Sequence, residues 1–240
     1  MYIKRYNLCI TKFKFLENKK YLLFTPKSLN IITPDINRLK FLQSYNNLPI
    51  DLKNENGIPT RLRRYANYNV DINNNYFDIQ YTGKDTFKQN VPDSRRVKRT
   101  FELIENEYIY DKFIIDLIER CTTLTIFNSE KIPKSLNISL HQVRQICYPY
   151  IESHNSPEGI HQDGVDFIVS ALVLNKKNIT GGKSFIYNKN KRILHIKNLN
   201  QDEGIFQDDK DLWHYVTPIS SINNYIGYRD ILGIDISIIS

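Results

Sequence analysis

Residues 157–167 read PEGIHQDGVDF, and the β-rich second half of the chain is organised around this stretch. It places His161 and Asp163 two positions apart, and an extended backbone would turn both side chains to the same side. A chain with 26 acidic residues among 240 produces such a pair by chance about as often as not. The pair alone is therefore only a hypothesis, which other segments must support.

Two later segments add the residues that a metal site would need. His214 lies in the sequence WHYVTP, and Arg229 lies in the sequence YRD. Two imidazoles and one carboxylate form the ligand set of mononuclear ferrous sites that keep open positions. A guanidinium can bind a carboxylate with two hydrogen bonds, as a keto-acid cosubstrate would require. We therefore interpret His161, Asp163 and His214 as iron ligands and Arg229 as the anion receptor.

Each of these residues also has an ordinary structural interpretation. His214, among apolar neighbours, would be a core histidine. Asp163 would cap a turn, and Arg229 would form a surface ion pair with Asp230. The residue types and their order within the β-rich half favour the metal site. We assign no ligand role to the other three histidines, although the first could be an outer partner of the site: His141, His154 and His195.

Length and composition describe a globular chain. It has 240 residues, of which 41% are hydrophobic and 25% are charged, so it can bury a sizeable core. No apolar run is long enough to span a membrane, and lysines interrupt the N-terminus where a secretion signal would be. Its three cysteines have no paired spacing for zinc or disulfides. We expect a cytoplasmic protein without membrane association, in a reducing compartment that favours ferrous iron.

The formal net charge of +7 raises the question of an anionic partner. The chain is rich in Asn, Ile, Lys and Tyr, a bias that AT-rich coding produces without selection for a binding surface. The basic run at 95–99 is interpreted as the solvated face of a helix. We therefore expect no nucleic-acid partner, and no pattern indicates an oligomeric state.

We expect a single domain over 1–240, in which 1–134 supplies covering helices and a hairpin. Apolar periodicity and turn residues define the elements of this part. Three arginines at 61–64 would line an anion pocket or dress an exposed edge strand with charge. The predicted elements are a strand at 21–24, a helix from 34–35, a loop at 51–60, a hairpin of strands 60–70 and 76–81, and helices near 94–104 and 110–121.

The remaining part, 135–240, is predicted to be a jelly-roll core that binds the metal, which makes the chain α+β and mainly β. Its last strand alternates between an apolar face and a face that carries Arg229. We expect the apolar face to pack outward on the helices and the other face to line a ligand-filled interior, rather than Arg229 pointing to water. The predicted strands are 137–147, 160–174, 183–187, 192–197, 211–217 and 226–238, with a tight turn at 180–183.

The ordered motifs resemble those of the bacterial 2-oxoglutarate and iron(II)-dependent dioxygenase family that includes L-isoleucine 4-hydroxylase. The resemblance covers about 60–235. It implies a double-stranded β-helix, related to cupins, with His161, Asp163 and His214 on Fe(II) and Arg229 on 2-oxoglutarate. It also implies hydroxylation with O2, which releases succinate and CO2. The motifs are PEGIHQDG at 157–164, GG at 181–182, HYVTPI at 214–219, GYRDIL at 227–232, RLRRY at 61–65 and HQVR at 141–144.

The resemblance further implies a small-molecule substrate, a free aliphatic L-amino acid such as isoleucine, leucine or methionine. Its carboxylate needs a guanidinium, its ammonium group needs a carboxylate, and its side chain needs an apolar wall. Candidates for these three roles are Arg144, Arg63 and Arg64, then Glu158 and Asp166, then Phe167, although the arginines would equally suit structural ion pairs. The alternatives are the same chemistry on a peptide, nucleobase or natural-product intermediate, and a non-catalytic cupin-like binding protein.

Overall fold

The computed structural model of the protein describes residues 4–7, 19–31, 35–73, 76–92 and 97–239. It contains two α-helices, α1 (Asp35–Gln43) and α2 (Lys112–Asn128), within these residues. The strands there are β1 (Lys4–Asn7), β2 (Tyr21–Phe24), β3 (Ile50–Lys53), β4 (Pro59–Ile72), β5 (Tyr76–Tyr81), β6 (Thr86–Phe87), β7 (Arg99–Thr100), β8 (Ser135–Cys147), β9 (Phe167–Lys177), β10 (Ile179–Gly181), β11 (Lys183–Tyr187), β12 (Ile193–Asn198), β13 (Gly204–Asp208), β14 (Trp213–Val216), β15 (Ile219–Ser221) and β16 (Gly227–Ile239).

A large antiparallel sheet forms one wall of the fold, in the order β1-β5-β4-β8-β16-β9-β13-β2, with β3 also paired to β4. Its longest pairing joins β8 and β16 in continuous register from Ser135↔Ile239 to Cys147↔Gly227. Two smaller sheets, β12-β11-β14 and β10-β15, complete the roll. The predicted double-stranded β-helix is confirmed, and so is the hairpin, in which β4 pairs with β5. That 1–240 forms one domain stays a prediction.

The last strand, β16, has the two faces that its alternation predicts. Leu232, Ile234 and Ile236 are buried in the same core cluster as the apolar face of α2. Burying each of them contributes about 1.5–3 kcal/mol. A one-residue slip would expose all three, so this burial sets the register. The opposite face, which includes Arg229 and Asp235, therefore points into the interior of the roll.

The two covering helices follow from ordinary helix signals. The Asp111 carboxylate caps α2 by accepting the N–H of Phe113 at 2.9 Å, as helix N-termini favour. α1 ends in a 3-10 turn that buries Tyr45, whose hydroxyl donates to the Ile231 carbonyl at 2.9 Å. The helices thus pack against the outer face of the large sheet. No helix in the described ranges is long and apolar enough to cross a membrane.

Several local predictions were wrong. The helix expected near 94–104 is replaced by β7, which pairs with β6, while residues 93–96 lie outside the described part of the chain. Phe101 packs with Tyr65 and Phe87, so tertiary packing of aromatic rings overrides the helical spacing. The loop expected at 51–60 contains most of β3 and the start of β4. β13 was not predicted, because the glycine at its start and the polar residues at its end are typical of a loop.

Candidate active site

The two histidines predicted as metal ligands lie side by side. His161 and His214 form an antiparallel bridge, in which the N–H of each donates to the carbonyl of the other, over 3.0 and 2.9 Å. Residues paired in this way project their side chains to the same face. Their ring centroids are 4.2 Å apart. This backbone pairing brings together two imidazoles that are distant in sequence.

Strand alternation directs one of these imidazoles inward. Within β14, Trp213 and Tyr215 are partly exposed, whereas His214 and Val216 are buried. The ammonium group of Lys191 lies 4.3 Å from the centroid of the Trp213 ring, which covers the outer face. The apolar surroundings of His214 in the sequence therefore reflect a strand that is half inside the roll.

The carboxylate reaches the same place by a turn rather than by a strand. β9 begins only at Phe167, so the prediction that one strand from 160 carries both His161 and Asp163 is wrong. Gly164 has φ +78°, and a Cβ there would lie 2.5 Å from the carbonyl oxygen of Asn90. The turn that follows Asp163 thus requires glycine.

The three ligand atoms are close enough to share one metal ion. Nε2 of His161 lies 3.8 Å from Oδ1 of Asp163, and Nε2 of His214 lies 3.5 Å from Oδ2 of the same carboxylate. One ligand atom from each residue lies within 4.8 Å of the other two. Two nitrogen donors and one oxygen donor on one side suit ferrous iron. The residues present therefore fit the metal.

The surroundings of His161 orient its ring. Nδ1 lies 2.7 Å from the carbonyl oxygen of Gly159, so it can donate its proton there and leave Nε2 for a metal. Glu158 lines the cavity, and its Oε1 lies 3.0 Å from that same Nε2. Because iron and Glu158 compete for Nε2, we expect the Glu158 side chain to turn away when the metal binds.

Asp209 supports both parts of the ligand set, and no sequence motif distinguishes it from its neighbours in QDDKD. Asp209 is only 1% exposed, and its Oδ2 accepts the backbone N–H of Asp163 at 2.9 Å and of Gly164 at 2.8 Å. Its other oxygen lies 4.0 Å from Nδ1 of His214. Burial and the charge of Asp163 raise the pKa of Asp209, and a cation on Asp163 would offset that repulsion.

Asp209→Asn is expected to weaken metal binding about 10- to 100-fold, because the turn that aims Asp163 loses its anionic anchor. Titration with Co(II), followed by visible absorption, measures this without turnover. Asp208→Asn is the matched control, since Asp208 accepts the backbone N–H of Lys210 at 3.0 Å and does not contact the ligands. Equal losses in the two variants would contradict the role of Asp209.

Arg229 is a buried cation that needs an anion. It is 2% exposed; its Nε and Nη2 donate to Oε1 of Gln145, and its Nη1 donates to the Gly182 carbonyl at 3.0 Å. None of the described carboxylates forms an ion pair with it, and burial lowers its pKa to about 10. Nε2 of Gln145 is also buried without a partner in the described part of the chain. Both groups suit the distal carboxylate of 2-oxoglutarate.

A cavity of about 440 Å³ contains all three predicted metal ligands. Three arginines also line it: Arg61, Arg63 and Arg99. Arg61 and Arg63 share one carboxylate, that of Asp51, at 2.6 and 3.1 Å. Burial, Arg61 and Arg99 lower the pKa of Arg63 to about 9, although Asp51 acts in the opposite direction. The 61–64 segment therefore contributes Arg61 and Arg63 to a positively charged part of the cavity wall, and it also pairs with β8 and β3.

Arg99, which lies in the expected helix, links this wall to the metal ligands through a residue that sequence reasoning missed. Nη2 of Arg99 donates to Oε1 of Gln89 at 2.9 Å. Nε2 of Gln89 in turn donates to Oδ1 of Asp163 at 2.7 Å. Only the folded sheet brings β7 and the segment after β6 to this position, so no local pattern could have indicated the contact.

The cavity also contains a buried carboxylate, that of Asp235. Its Oδ2 lies 3.3 Å from Nε2 of His141, which Tyr65 and Phe87 surround. Burial and the cation Arg63 lower the pKa of His141 well below its ordinary value, so the imidazole is neutral and can donate one proton. Burial and Asp163 raise the pKa of Asp235. His141 is therefore a neighbour of the site rather than a ligand.

Two candidate arginines lie outside the cavity. Arg144 points to the opposite face of β8, where its Nε and Nη2 bind the Asp230 carboxylate at 2.6 and 2.8 Å. Arg64 bonds to the Leu103 carbonyl and pairs with Glu102. Successive residues of a strand point to opposite faces. On β4 and β8 the residues that line the cavity have odd numbers, so the even-numbered Arg64 and Arg144 point away from it. Their contacts are those of structural ion pairs, and we retain only Arg63 as a receptor.

Two further candidates also face away from the cavity. Asp166 accepts the backbone N–H of Ile238 at 2.7 Å and pairs with Lys210. Phe167 stacks on Phe206, with ring centroids 5.5 Å apart, in the main core. Neither residue lines the cavity, so the ammonium and apolar-wall roles expected of them find no support in their positions.

A double-stranded β-helix with this ligand set defines the class of mononuclear iron oxygenases. Within that class, the family model described as "2OG-Fe dioxygenase" matches residues 42–235. The chain belongs to this family, whose chemistry requires Fe(II), 2-oxoglutarate and O2. This result argues against the alternative of a non-catalytic binding protein.

Individual proteins share sequence or fold with this chain. L-isoleucine-4-hydroxylase from Bacillus thuringiensis is 27% identical over 167 residues, which is 69% of this chain and 66%, just under two thirds, of the relative. The crystal structure of IDO from Bacillus thuringiensis has a TM-score of 0.73 at 21% identity, covering 93% of this chain and 92% of that one. A bsmA homologue from Methylobium petroleophilum PM1 has a TM-score of 0.80 at 18% identity, covering 92% and 90%. These structures support the fold.

Proposed function

We propose that the protein hydroxylates a free, aliphatic L-amino acid. The observation that carries this proposal is the cavity that holds the ligand triad together with Arg63, a cation that shares its carboxylate neighbour, Asp51, with Arg61. The similarity to an isoleucine hydroxylase suggests isoleucine, leucine and methionine as the first substrates to test. We further propose a cytoplasmic location, where free amino acids and 2-oxoglutarate are available.

Each group of side chains has a distinct task in this reaction. Arg229 binds the distal carboxylate of 2-oxoglutarate, and Arg63 binds the carboxylate of the substrate. Iron, 2-oxoglutarate and O2 together supply the oxidant for an unactivated C–H bond: 2-oxoglutarate becomes succinate and CO2, and one oxygen atom enters the substrate. The buried histidines and the apolar residues around Val143 and Ile231 keep water from the reacting groups.

The proposal is tested by incubating the purified protein with Fe(II), ascorbate, O2 and 2-oxoglutarate against a panel of free amino acids. We expect succinate formation coupled to a product that is one oxygen atom heavier. The same incubation without amino acid is the control for uncoupled turnover. Succinate release without an oxygenated product for any amino acid would contradict the substrate, while leaving the oxygenase chemistry intact.

A second candidate is a longer substrate, such as a peptide. A cavity of about 470 Å³ adjoins the first and shares Phe87 and Asp235 with it. Amide and hydroxyl groups, among them those of Asn67 and Ser139, line it and would suit a peptide backbone. Dipeptides belong in the same assay, and faster coupled turnover with a dipeptide than with its free amino acids would favour this candidate.

A further inference from the structure

Two buried side chains of opposite charge face the cavity without contacting each other. Arg63 on β4 and Asp235 on β16 both line the cavity that holds the metal ligands. Their side chains are only 10% and 12% exposed. In the described structure they form no ion pair with each other. They are nevertheless near enough that Asp235 acts to raise the pKa of Arg63 and Arg63 acts to lower the pKa of Asp235. Such separated, buried charges need partners from elsewhere.

The guanidinium of Arg63 has hydrogen-bonding capacity to spare. Among the described residues its one carboxylate neighbour is Asp51, 3.1 Å from Nε, and Asp51 also pairs with Arg61. Phe101 supports the group from one side, with the guanidinium carbon 4.9 Å from the ring centroid. Among the described residues, no acceptor hydrogen-bonds to Nη1 or Nη2. The terminal fork is therefore available for a planar anion such as a carboxylate.

The carboxylate of Asp235 is likewise only partly satisfied. Oδ2 lies 3.3 Å from Nε2 of His141, and no other donor in the described ranges contacts either oxygen. Because His141 is neutral, it supplies one proton and no full counter-charge. The remaining capacity suits a compact cation with several N–H donors, which is what an ammonium group offers.

We propose that Arg63 and Asp235 bind the carboxylate and the ammonium group of the same free amino acid, so that the substrate is recognised as a zwitterion. This inference rests on the proposed function and specifies its substrate class. The carboxylate of a zwitterion pairs with Arg63 while its ammonium group pairs with Asp235, so one ligand provides a partner for both buried groups. An amino acid with a blocked amine or an amidated carboxylate leaves one of them unpaired, so the pair excludes peptides and acylated amino acids.

Binding to the anaerobic Fe(II) protein with 2-oxoglutarate tests the pair without turnover. The calorimetric probes are L-isoleucine, L-leucine and L-methionine, followed by the N-acetyl derivative and the carboxamide of the tightest binder. We expect each blocked compound to bind at least about 30-fold more weakly than the free amino acid, since one buried charge then lacks its partner. Equal affinities of the free and blocked compounds would overturn the inference.

Variants assign each end of the zwitterion to its residue. Asp235→Asn should weaken binding of the free amino acid at least about 30-fold and leave the affinity for the N-acetyl derivative unchanged. Arg63→Met should likewise weaken binding of the free amino acid at least about 30-fold, but leave the affinity for the carboxamide unchanged. Arg63→Lys keeps the charge without the fork and serves if Arg63→Met does not fold. Arg64→Met is the matched control, since Arg64 lies next along β4 and points out of the cavity.

The outcomes separate this inference from the proposed function. Coupled turnover of a blocked amino acid or a dipeptide, with no effect of Asp235→Asn, would overturn the zwitterion pair while the oxygenase stands. Loss of binding to free and N-acetylated compounds alike in Asp235→Asn would also overturn it, because the effect would then be general. Absence of any succinate release, with every compound, would instead count against the hydroxylase activity.

Discussion

Asp163→Ala is expected to abolish coupled turnover and to remove most of the metal affinity. The substitution deletes the carboxylate that lies within 3.8 Å of both histidine nitrogens, but it leaves the backbone bridge of His161 and His214 in place. The loss should exceed the roughly 10- to 100-fold loss that an outer partner of a metal ligand causes. Succinate release and anaerobic dialysis of Fe(II) measure the two quantities. His161→Ala should behave in the same way.

Asp166→Ala is the matched control for this result. Asp166 follows in the same segment, but it binds the Ile238 N–H and Lys210 rather than the metal ligands. We expect it to lower stability modestly and to leave metal affinity within a few-fold of the natural protein. Unchanged turnover and Fe(II) affinity in Asp163→Ala would remove the metal assignment altogether.

Arg229→Met is expected to weaken 2-oxoglutarate binding by about 2–5 kcal/mol, or roughly 30- to 4,000-fold, because we propose the buried guanidinium as the anion receptor. The variant should raise the KM for 2-oxoglutarate far more than it changes the affinity for Fe(II). Arg229→Lys should recover part of the loss, since an ammonium keeps the charge but lacks the planar fork.

Thermal unfolding gives an independent measurement of the same variant. Arg229 is buried without a carboxylate among the described residues, so the relief of its desolvation should offset part of the loss of its hydrogen bonds to Gln145 and Gly182, and the Tm of the protein without cosubstrate should fall only modestly. The natural protein should gain stability when 2-oxoglutarate is added, and the variant should not. A variant that unfolds early, yet still gains stability with 2-oxoglutarate, would contradict the receptor role.

The sequence allowed good predictions where one strand carries its own evidence. The alternation of β16 predicted both its faces, because three buried aliphatic side chains leave a single register. The strand predicted at 211–217 likewise contains β14, which carries His214. The helix α2 followed from the apolar spacing of residues such as Phe113 and Leu117, although it extends seven residues beyond the predicted end at 121.

The parts that were missed depend on contacts between distant segments. Asp209 anchors the turn of Asp163 across the fold, and nothing in its local sequence separates it from Asp208 or Asp211. Arg144 shows the same limit. Its charge suited a binding role by type, but only the folded sheet shows that Arg144 points outward to Asp230.

The regular pairing of β8 with β16 has a consequence for how specificity can change. Arg229 and Asp235 lie on the same face of one strand, six residues apart, which corresponds to about 20 Å. The strand therefore keeps the proposed 2-oxoglutarate receptor, Arg229, and the proposed ammonium receptor, Asp235, at a constant distance from each other. If both proposed roles hold, we expect a substitution at 235 to change the substrate preference without altering 2-oxoglutarate binding, whereas inserting one residue between the two positions would turn one of the two side chains to the opposite face of the sheet.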